Sequence, residues 1–224
     1  MDDVVKSSPL FTALDDDAAD ALRAGMSELH LERGDVLFHE GDADNRLYVV
    51  TDGKVKLGHT SSDGRENLLA VLGPGQMFGE LSLFDRGPRS STATAITPTT
   101  LLALTRADLL EWLSTRPEVA EGLLHQMARR LRRSNEAMAD LVFSDVPGRV
   151  AKALLDLSTR FGRKEPDGLH VHHDLTQEEL AQLVGASRET VNKALADFAG
   201  RGWIRLEARA VVLLDVERLT RRSR

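Results

Sequence analysis

The sequence PEVAEGLLHQMARRLRRSNEAMADLVF, residues 117–143, decides how the rest of the chain is organised. Its apolar residues recur at alternating intervals of four and three, which is the seam of a two-stranded coiled coil. They are Ala120, Leu124, Met127, Leu131, Met138 and Leu141. A helix of roughly 26 residues would be about 39 Å long, and a helix of that length needs a packing partner to bury its stripe. The pattern therefore predicts pairing with the same helix of a second subunit.

One position of this seam is polar. Ser134 falls where an apolar residue belongs, and Asn135 stands beside it. A polar residue in a dimer seam can fix the register of the two helices at some cost in stability. The same pair could instead contact a small polar ligand that reaches the interface. The helix by itself leaves both interpretations open.

Composition limits the class of protein. The chain has 224 residues, enough for one large or two modest domains, and it has no cysteine. Without cysteine there can be no disulfide, thiolate metal site or cysteine nucleophile. The sequence has no run of about 18 apolar residues, so no membrane span is predicted. No secretory signal is apparent at the start. We expect a cytoplasmic protein that does not enter the membrane.

Charge is distributed unevenly along the chain. The net charge is −6, but residues 1–120 carry 20 acidic and 11 basic side chains, a balance of −9. Residues 121–224 carry 15 acidic and 18 basic side chains, a balance of +3. This asymmetry suggests two domains with different partners.

The first half alternates between helical and strand patterns. A short helix is predicted from Asp15 to Leu29, and another from Arg106 to Thr115. Between Glu32 and Thr105, short apolar runs are separated by glycine-containing turns, which favours an all-β sandwich, jelly roll or barrel. The predicted strands include residues 36–38, 47–50, 55–57 and 68–72.

The second half begins after a break. Pro147 lacks the N–H that a continuing helix would need, so we expect a hinge at Phe143 to Asp145. Asp145 would cap the next helix, predicted from Arg149 to Phe161. The basic C-terminal residues Arg221, Arg222 and Arg224 are expected to form a solvated tail.

Three histidines follow this helix. The segment from Arg163 to Asp174 reads as a polar loop around a short strand and contains His170, His172 and His173. A His-x-His-His cluster could bind a metal ion. No partner residues with metal-ligand spacing are apparent nearby, so we predict a strand or hairpin with solvated histidines and no metal.

Two short helices are predicted between Leu175 and Leu206. Thr176 and Glu179 form a capping box at the start of the first helix. Gly185 supplies a tight turn, and Ser187 can cap the second helix at once. Two helices joined in this way form a helix-turn-helix.

The second of these helices has a polar face suited to the major groove of DNA. That face contains Arg188, Glu189, Asn192 and Lys193. Arginine can pair with guanine, and glutamate can accept a hydrogen bond from cytosine. An ordinary helical hairpin with a solvated face would look similar. The turn at residues 201–205 and the strand at 210–214 resemble a β-wing, which favours the DNA-binding interpretation.

A possible phosphate site lies in GQMFGELSLFDRGPRSSTA, residues 75–93. Arg89, Ser90 and Ser91 could bind a phosphate through a charge and hydrogen-bond donors. Glu80 could accept a hydrogen bond from a ribose hydroxyl. A structural salt bridge between Arg89 and Glu80 would produce the same spacing.

Three stretches together resemble the Crp–Fnr superfamily of bacterial transcription regulators, and most closely its cyclic-AMP receptor protein branch. They are FGELSLF…GPRSSTA, QMARRLRRSNEAMADLVFSDVPGRVAKALL and LTQEELAQLVGASRETVNKALADF. The resemblance covers essentially the whole chain. It implies an α+β fold in three parts: an N-terminal β jelly-roll cyclic-nucleotide-binding domain (residues 1–116), a dimerisation helix and hinge (117–144), and a C-terminal winged helix-turn-helix (145–224).

The resemblance also implies a site for cyclic AMP. The family's phosphate-binding cassette matches Gly79, Glu80, Leu81, Ser82, Arg89 and Ser90. In this cassette Glu80 and the Gly79 backbone hold the ribose, while Arg89 and Ser90 hold the cyclic phosphate. The adenine-contacting pair matches Ser134 and Asn135, one from each subunit. The pair is Ser-Asn here where Thr-Ser is best known, and either pair can donate and accept hydrogen bonds at the base edge.

The DNA-binding residues carry over in the same way. The family's base-reading residues match Arg188, Glu189 and Lys193. Its phosphate-contacting residues match Thr176, Gln177 and Ser187. Lys193 stands where arginine is usual, so one base position would be read less strictly because lysine cannot form the bidentate pair.

The expected protein is a homodimeric regulator that binds a palindromic operator with TGTGA-like half-sites when cyclic AMP is bound, and it would also contact RNA polymerase. One alternative is a ligand-independent DNA-binding regulator whose β-domain serves only for dimerisation. A second alternative is an enzyme of cyclic-nucleotide hydrolysis. Such an enzyme would need a metal cluster or an acid–base pair near the phosphate, and neither pattern is present.

Overall fold

The computed structural model describes residues 3–12, 14–61, 64 and 66–223. The chain forms two compact units, one built from residues up to 133 and the other mainly from residues 134–224. Among the described residues, none of the helices combines the length and the apolar character needed to cross a bilayer.

The first unit is a two-sheet β structure. Its strands are β1 (Ser27–Leu31), β2 (Val36–Phe38), β3 (Arg46–Asp52), β4 (Val55–Thr60), β5 (Glu66–Leu72), β6 (Met77–Phe78), β7 (Thr92–Ala95) and β8 (Thr99–Thr105). They form two four-stranded sheets with the orders β1-β8-β3-β6 and β2-β7-β4-β5. The strands predicted at 36–38, 47–50, 55–57 and 68–72 all lie within observed strands.

Alternation along β3 shows how the sheets are packed. Tyr48 and Val50 point into a core shared with Phe38 and Leu57 of the second sheet. Leu47, by contrast, points into a separate core that includes residues of the surrounding helices. The first sheet is therefore buried on both faces, as in a sandwich with an added helical layer.

In the part of the chain that the structure describes, five helices belong to or begin in this unit. They are α1 (Asp3–Lys6), α2 (Asp16–Ala24), α3 (Leu81–Asp85), α4 (Arg106–Thr115) and α5 (Pro117–Phe143). The predicted bounds of α4 and α5 are confirmed. The prediction of one helix from Asp15 to Leu29 was wrong, because the helix ends at Ala24 and residues 27–31 pair with β8.

The first part of α5 is anchored on the β core. Val119 and Leu123 are buried in the core beneath the first sheet. At Gly122 a Cβ atom would lie only 2.4 Å from the carbonyl oxygen of Pro9, so the N-terminal segment contacts the helix backbone directly. The predicted seam faces elsewhere: Leu124, Leu131, Met138 and Leu141 are exposed.

Over its described residues, the second unit contains four further helices and one sheet. The helices are α6 (Val146–Phe161), α7 (Gln177–Val184), α8 (Arg188–Gly200) and α9 (Val216–Arg222). The strands are β9 (Gly162–Glu165), β10 (Gly168–His172), β11 (Ile204–Glu207) and β12 (Ala210–Leu213), in the order β11-β12-β10-β9. Helix α6 begins three residues earlier than predicted because the Asp145 carboxylate accepts a hydrogen bond from the Gly148 amide, with Pro147 in the first turn.

The C-terminal segment is a packed helix, so the prediction of a solvated tail was wrong. Leu219 of α9 is fully buried. Arg222 donates to the Asp145 carboxylate at 2.5 Å. Arg221 is largely exposed, and Arg224 lies outside the described residues.

The predicted hairpin is confirmed, but two of its histidines are not solvated. His173 is buried, and its Nδ1 accepts a hydrogen bond from the Leu175 amide. His170 is only 13 % exposed at its side chain and bonds to Asp167 at 2.8 Å. This carboxylate, which the sequence reasoning did not connect with His170, also accepts from Arg205 at 2.7 Å and raises the pKa of the imidazole. Only His172 of the three is exposed.

Candidate functional sites

A buried cation lies at the centre of the first candidate site. Arg89 is only 3 % exposed. Its Nη1 donates to the carbonyl oxygen of Gly79 at 2.6 Å and to the Ser82 hydroxyl at 2.9 Å. Its Nη2 donates to the Arg46 carbonyl oxygen at 2.6 Å and to the Asp44 carboxylate at 2.5 Å. Four hydrogen bonds therefore fix the plane of this guanidinium.

The close approach of backbone and guanidinium explains the glycine in this motif. Gly79 has a φ of +85°, in the left-handed region that favours glycine. A Cβ atom there would lie 2.6 Å from Nη1 of Arg89 and 3.0 Å from the Arg46 carbonyl oxygen. The other side of the guanidinium is covered by the ring of Phe38, whose centroid is 4.1 Å from Cζ.

Asp44 is the acidic partner of Arg89. The same carboxylate oxygen also accepts a hydrogen bond from the Tyr48 hydroxyl at 2.7 Å. Burial works to raise the pKa of Asp44, but the hydrogen bonds from Arg89 and Tyr48 and the charge of Arg89 outweigh it and lower this pKa. Burial and the neighbouring Asp44 raise the pKa of Tyr48 well above its ordinary value, so the phenol stays protonated.

Glu80 takes part in a second ion pair. It is fully buried, and its Oε1 accepts from Nη1 of Arg130 at 2.5 Å. The alternative of an Arg89–Glu80 salt bridge is therefore not what the structure has, since each residue has a different partner. The other carboxylate oxygen of Glu80, Oε2, is buried without a hydrogen-bond partner among the described residues. A buried carboxylate oxygen in this state is suited to accept a hydrogen bond from a hydroxyl.

Arg89 and Arg130 both line one small pocket. Its empty space, including the open mouth, is about 280 Å³. The lining residues are Phe38, Leu57, Gly79, Leu81, Ser82, Arg89, Ser90, Ser91 and Arg130. Five of the six predicted cassette residues line it, and the sixth, Glu80, bonds to the lining residue Arg130.

Four residues of this site were not predicted from the sequence, namely Phe38, Asp44, Leu57 and Arg130. Arg130 is one of four arginines in the ARRLRRS segment, and nothing local distinguishes it from the others. Asp44 is 45 residues from Arg89 in a polar turn, and Phe38 belongs to a short apolar run.

Ser134 and Asn135 lie in α5 within the second unit. Both side chains are exposed in the single chain. They follow Leu131, which is also exposed, and precede the exposed Met138. Their polar groups are therefore available to a partner molecule.

The helix-turn-helix has the predicted local structure. Thr176 and Glu179 form a reciprocal capping box at the start of α7. Gly185 ends this helix with a φ of +69°, and the Ser187 hydroxyl accepts from the Thr190 amide at the start of α8. Each predicted cap is confirmed.

The outward face of α8 begins with its base-reading candidates. Arg188, Glu189 and Lys193 are all exposed. Glu189 and Lys193, one helical turn apart, are paired at 2.7 Å with side chains about three-quarters exposed. Asn192 was placed on this face by the sequence but is half-buried, with its Oδ1 enclosed. The face is therefore narrower than predicted.

The phosphate-contact candidates differ in how free their side chains are. The hydroxyls of Thr176 and Ser187 are occupied as helix caps, whereas Gln177 is exposed. The turn between β11 and β12 joins this region, because the Asp174 amide donates to the carbonyl oxygen of Arg209 at 2.9 Å. The exposed cation of Arg209 is thus held near the N-terminus of α7.

Comparisons with known proteins match the first and second parts of this chain to two different domain families. Residues 28–116 match the family model described as the cyclic nucleotide-binding domain, and residues 148–222 match the Crp-like helix-turn-helix domain. A CRP-like cAMP-activated global transcriptional regulator from Mycobacterium tuberculosis is 54% identical over 224 residues, which is 100% of both chains.

Solved structures show the same likeness. The catabolite activator protein of Thermus thermophilus is 38% identical, covers 96% of this chain and 98% of its own, and has a TM-score of 0.57. The c-di-GMP responsive global regulator CLP of Xanthomonas campestris is 26% identical, with coverage of 89% and 99% and a TM-score of 0.76.

Proposed function

Because this chain belongs to the family of CRP-like transcription regulators, we propose that it is a homodimeric DNA-binding regulator controlled allosterically by cyclic AMP. The family and the α+β fold predicted from the sequence are confirmed. The relatives are named as regulators, and this chain joins a cyclic nucleotide-binding domain to a Crp-like helix-turn-helix domain.

One observation carries the nucleotide assignment. A pocket in the cyclic nucleotide-binding domain is lined by a buried arginine, Arg89, and by Arg130. The carboxylate partner of Arg130 is the buried Glu80, whose Oε2 has no hydrogen-bond partner among the described residues. A cyclic phosphate needs the cation, and a ribose 2′-hydroxyl needs the acceptor. Ser90 lines the same pocket and would donate to the phosphate.

The base of the nucleotide would reach the central helices. In the proposed dimer, Ser134 of one subunit and Asn135 of its partner would contact the adenine. The exposed apolar seam of α5 supports such a dimer, because an isolated chain would leave Leu124, Leu131 and Met138 in water. The polar interruption of that seam then has a role in ligand binding.

Glu80 offers a physical link between ligand and helix. Its carboxylate is bonded to Arg130, which belongs to α5. A ribose hydroxyl that donates to Glu80 would change the charge environment of this ion pair. The ligand would thereby favour one of two arrangements of the dimer helices, and a hinge at residues 143–145 would reorient the DNA-binding domains.

DNA would be read by α8. Arg188, Glu189 and Lys193 would contact base edges in the major groove. Thr176, Gln177 and Ser187 would face phosphates, with the two hydroxyls keeping their capping bonds. Two recognition helices about 34 Å apart would match a palindromic operator. Contact with RNA polymerase is part of the same proposal.

The central experiment measures operator binding at increasing cyclic AMP. A fluorescent palindrome with TGTGA-type half-sites is titrated with protein, with and without the nucleotide. We expect cyclic AMP to tighten binding by roughly 5- to 150-fold. Equal affinity in both conditions would favour the ligand-independent regulator, in which the β-domain serves only for dimerisation.

A pair of matched variants tests whether this pocket is where the nucleotide binds and controls operator binding. Arg89→Gln should bind the operator only at the nucleotide-free level, because the phosphate loses its cation. Arg86→Gln is the control, since Arg86 is an exposed arginine three residues away. Calorimetry with cyclic AMP, cyclic GMP and cyclic di-GMP on the same samples would establish which nucleotide is bound.

A further inference from the structure

The four charged side chains at the nucleotide pocket form two ion pairs. Arg89 is paired with Asp44 and Arg130 with Glu80, each at 2.5 Å. Together these four side chains contribute no net charge. An anion that binds beside Arg89 would therefore meet a cation that is already paired with a carboxylate.

This arrangement persists at neutral pH. The pKa of Asp44 is lowered because its hydrogen bonds from Arg89 and Tyr48 and the charge of Arg89 outweigh the effect of burial. Its side chain is 21 % exposed, so solvent screens it only in part. Asp44 is thus a fixed negative charge bonded to the pocket residue Arg89.

Nucleotides differ in how strongly this charge would repel them. A cyclic phosphate is a diester with one negative charge, whereas a 5′-monophosphate carries about −1.5 to −2 at pH 7. We propose that Asp44 is a specificity-determining residue, which makes the pocket select the singly charged cyclic diester over the doubly charged 5′-monophosphate of the same nucleoside. This inference rests on the proposed function, because it takes Arg89 as the phosphate-binding residue.

The contacts of Asp44 allow its charge to be removed by itself. In Asp44→Asn the side-chain oxygen can still accept from Arg89 and Tyr48, so the guanidinium keeps its position while one negative charge is lost. A matched control is Asp52→Asn. Asp52 is an exposed carboxylate at the opposite end of β3, roughly 20 Å from Arg46 along the strand.

The experiment compares three adenine nucleotides by displacement of a fluorescent cyclic AMP analogue at pH 7.5. They are cyclic AMP, 5′-AMP and the methyl ester of 5′-AMP, which is open-chain but singly charged. In Asp44→Asn we expect 5′-AMP to gain about tenfold in affinity relative to cyclic AMP, as one extra unit charge near an ionised neighbour implies. The methyl ester should keep its wild-type ratio to cyclic AMP, and Asp52→Asn should change neither ratio.

The outcomes are distinct. An unchanged 5′-AMP ratio in Asp44→Asn, or an equal gain for the methyl ester, overturns the role of Asp44, because charge would not be the cause. Asp44→Ser is a second variant that removes the same charge, should Asp44→Asn prove unstable. A wild-type protein that does not bind cyclic AMP would overturn the proposed function and this inference together, whereas an unchanged ratio overturns this inference only.

Discussion

Single residues around Arg89 are constrained by how closely the backbone of Gly79 approaches the guanidinium. Gly79→Ala combines a left-handed backbone with a Cβ only 2.6 Å from Nη1. We expect the variant to lose about 1–3 kcal/mol of unfolding free energy and most of its cyclic AMP affinity. Urea denaturation and calorimetry measure the two effects.

Gly34→Ala separates backbone strain from collision with Arg89. Gly34 has a comparable φ of +94°, but no atom of the described residues lies within 4 Å of its Cβ position. This control should lose some stability and keep its nucleotide affinity. Equal loss of nucleotide binding in both variants would show that the close contact at Gly79 has no special importance.

Glu189 is the residue whose substitution should change which bases are read. Its exposed pairing with Lys193 contributes little to stability, so Glu189→Ala should remain folded. We expect about 1–3 kcal/mol less discrimination at one operator position. Competition binding against a panel of single-base operator variants measures this.

The matched control is Asp197→Ala, because Asp197 is an exposed acid further along α8 and away from its N-terminus. It should leave the base preferences unchanged. A uniform loss of affinity across all operators in Glu189→Ala would indicate a general effect on binding and would contradict base reading.

Among the elements, α5 carries the prediction for assembly. Leu131 is 64 % exposed in the single chain and occupies the centre of the seam. Leu131→Glu would place like charges opposite each other in the proposed dimer. We expect a monomer by analytical ultracentrifugation at micromolar concentration, with the β-domain still folded. Leu110→Glu, an exposed leucine on α4, should leave the oligomeric state unchanged.

Asp145, which caps the start of α6, predicts how the stability of the fold depends on pH. Hydrogen bonds from Arg222 and the Gly148 amide lower the pKa of Asp145. A depressed carboxyl pKa stabilises the fold above the unfolded value of about 3.9, and the effect is lost as the pH falls through the folded value. Asp145→Asn keeps a capping oxygen but cannot ionise. Its deficit in unfolding free energy should therefore be present at pH 7 and should shrink below roughly pH 4.

Denaturant titrations from pH 3 to pH 7 on both proteins measure this difference. Asp197→Asn, which alters a surface carboxylate of α8, serves as the control. A deficit of the same size at pH 3 and pH 7 would show that the charge on Asp145 contributes nothing.

Local signals account for the elements that were predicted correctly. Helix α5 has a proline at its first residue, and α7 and α8 have capping residues and a glycine turn, all of which act within a few positions. The helix predicted through residues 25–29 failed because pairing with β8, some 70 residues away, outweighed local preference. Arg130 and Asp44 were missed for the same reason, since their roles come from contacts 50 and 45 residues distant.

At the scale of the whole molecule, ligand and DNA binding must be linked in both directions. If cyclic AMP tightens operator binding by a given factor, the operator must tighten cyclic AMP binding by the same factor. Calorimetry of cyclic AMP with and without saturating operator measures the second factor. A factor of one would contradict allosteric control, and a nonspecific duplex of equal length is the control.

The general organisation of the chain could be predicted from the sequence, because three motifs occur in order and each has a distinct chemistry. The family and the fold are confirmed, whereas the domain limits at 116 and 144 and the ligand and DNA roles of individual residues stay predictions. Sequence motifs identify which groups are present. They do not fix which carboxylate pairs with which arginine, because that depends on tertiary geometry.

The packing of α9 has a practical consequence for anyone who labels this protein. Arg222 bonds to Asp145 at the first turn of α6, so a fluorescent reporter or affinity handle fused after Ser223 would press on that capping contact. Pro9 touches α5 at Gly122, so trimming the leading residues would loosen the helix that we expect to join the subunits. Among the described residues, none lies within 4 Å of the Cβ position of Gly34, which makes the turn between β1 and β2 the better place to insert a probe.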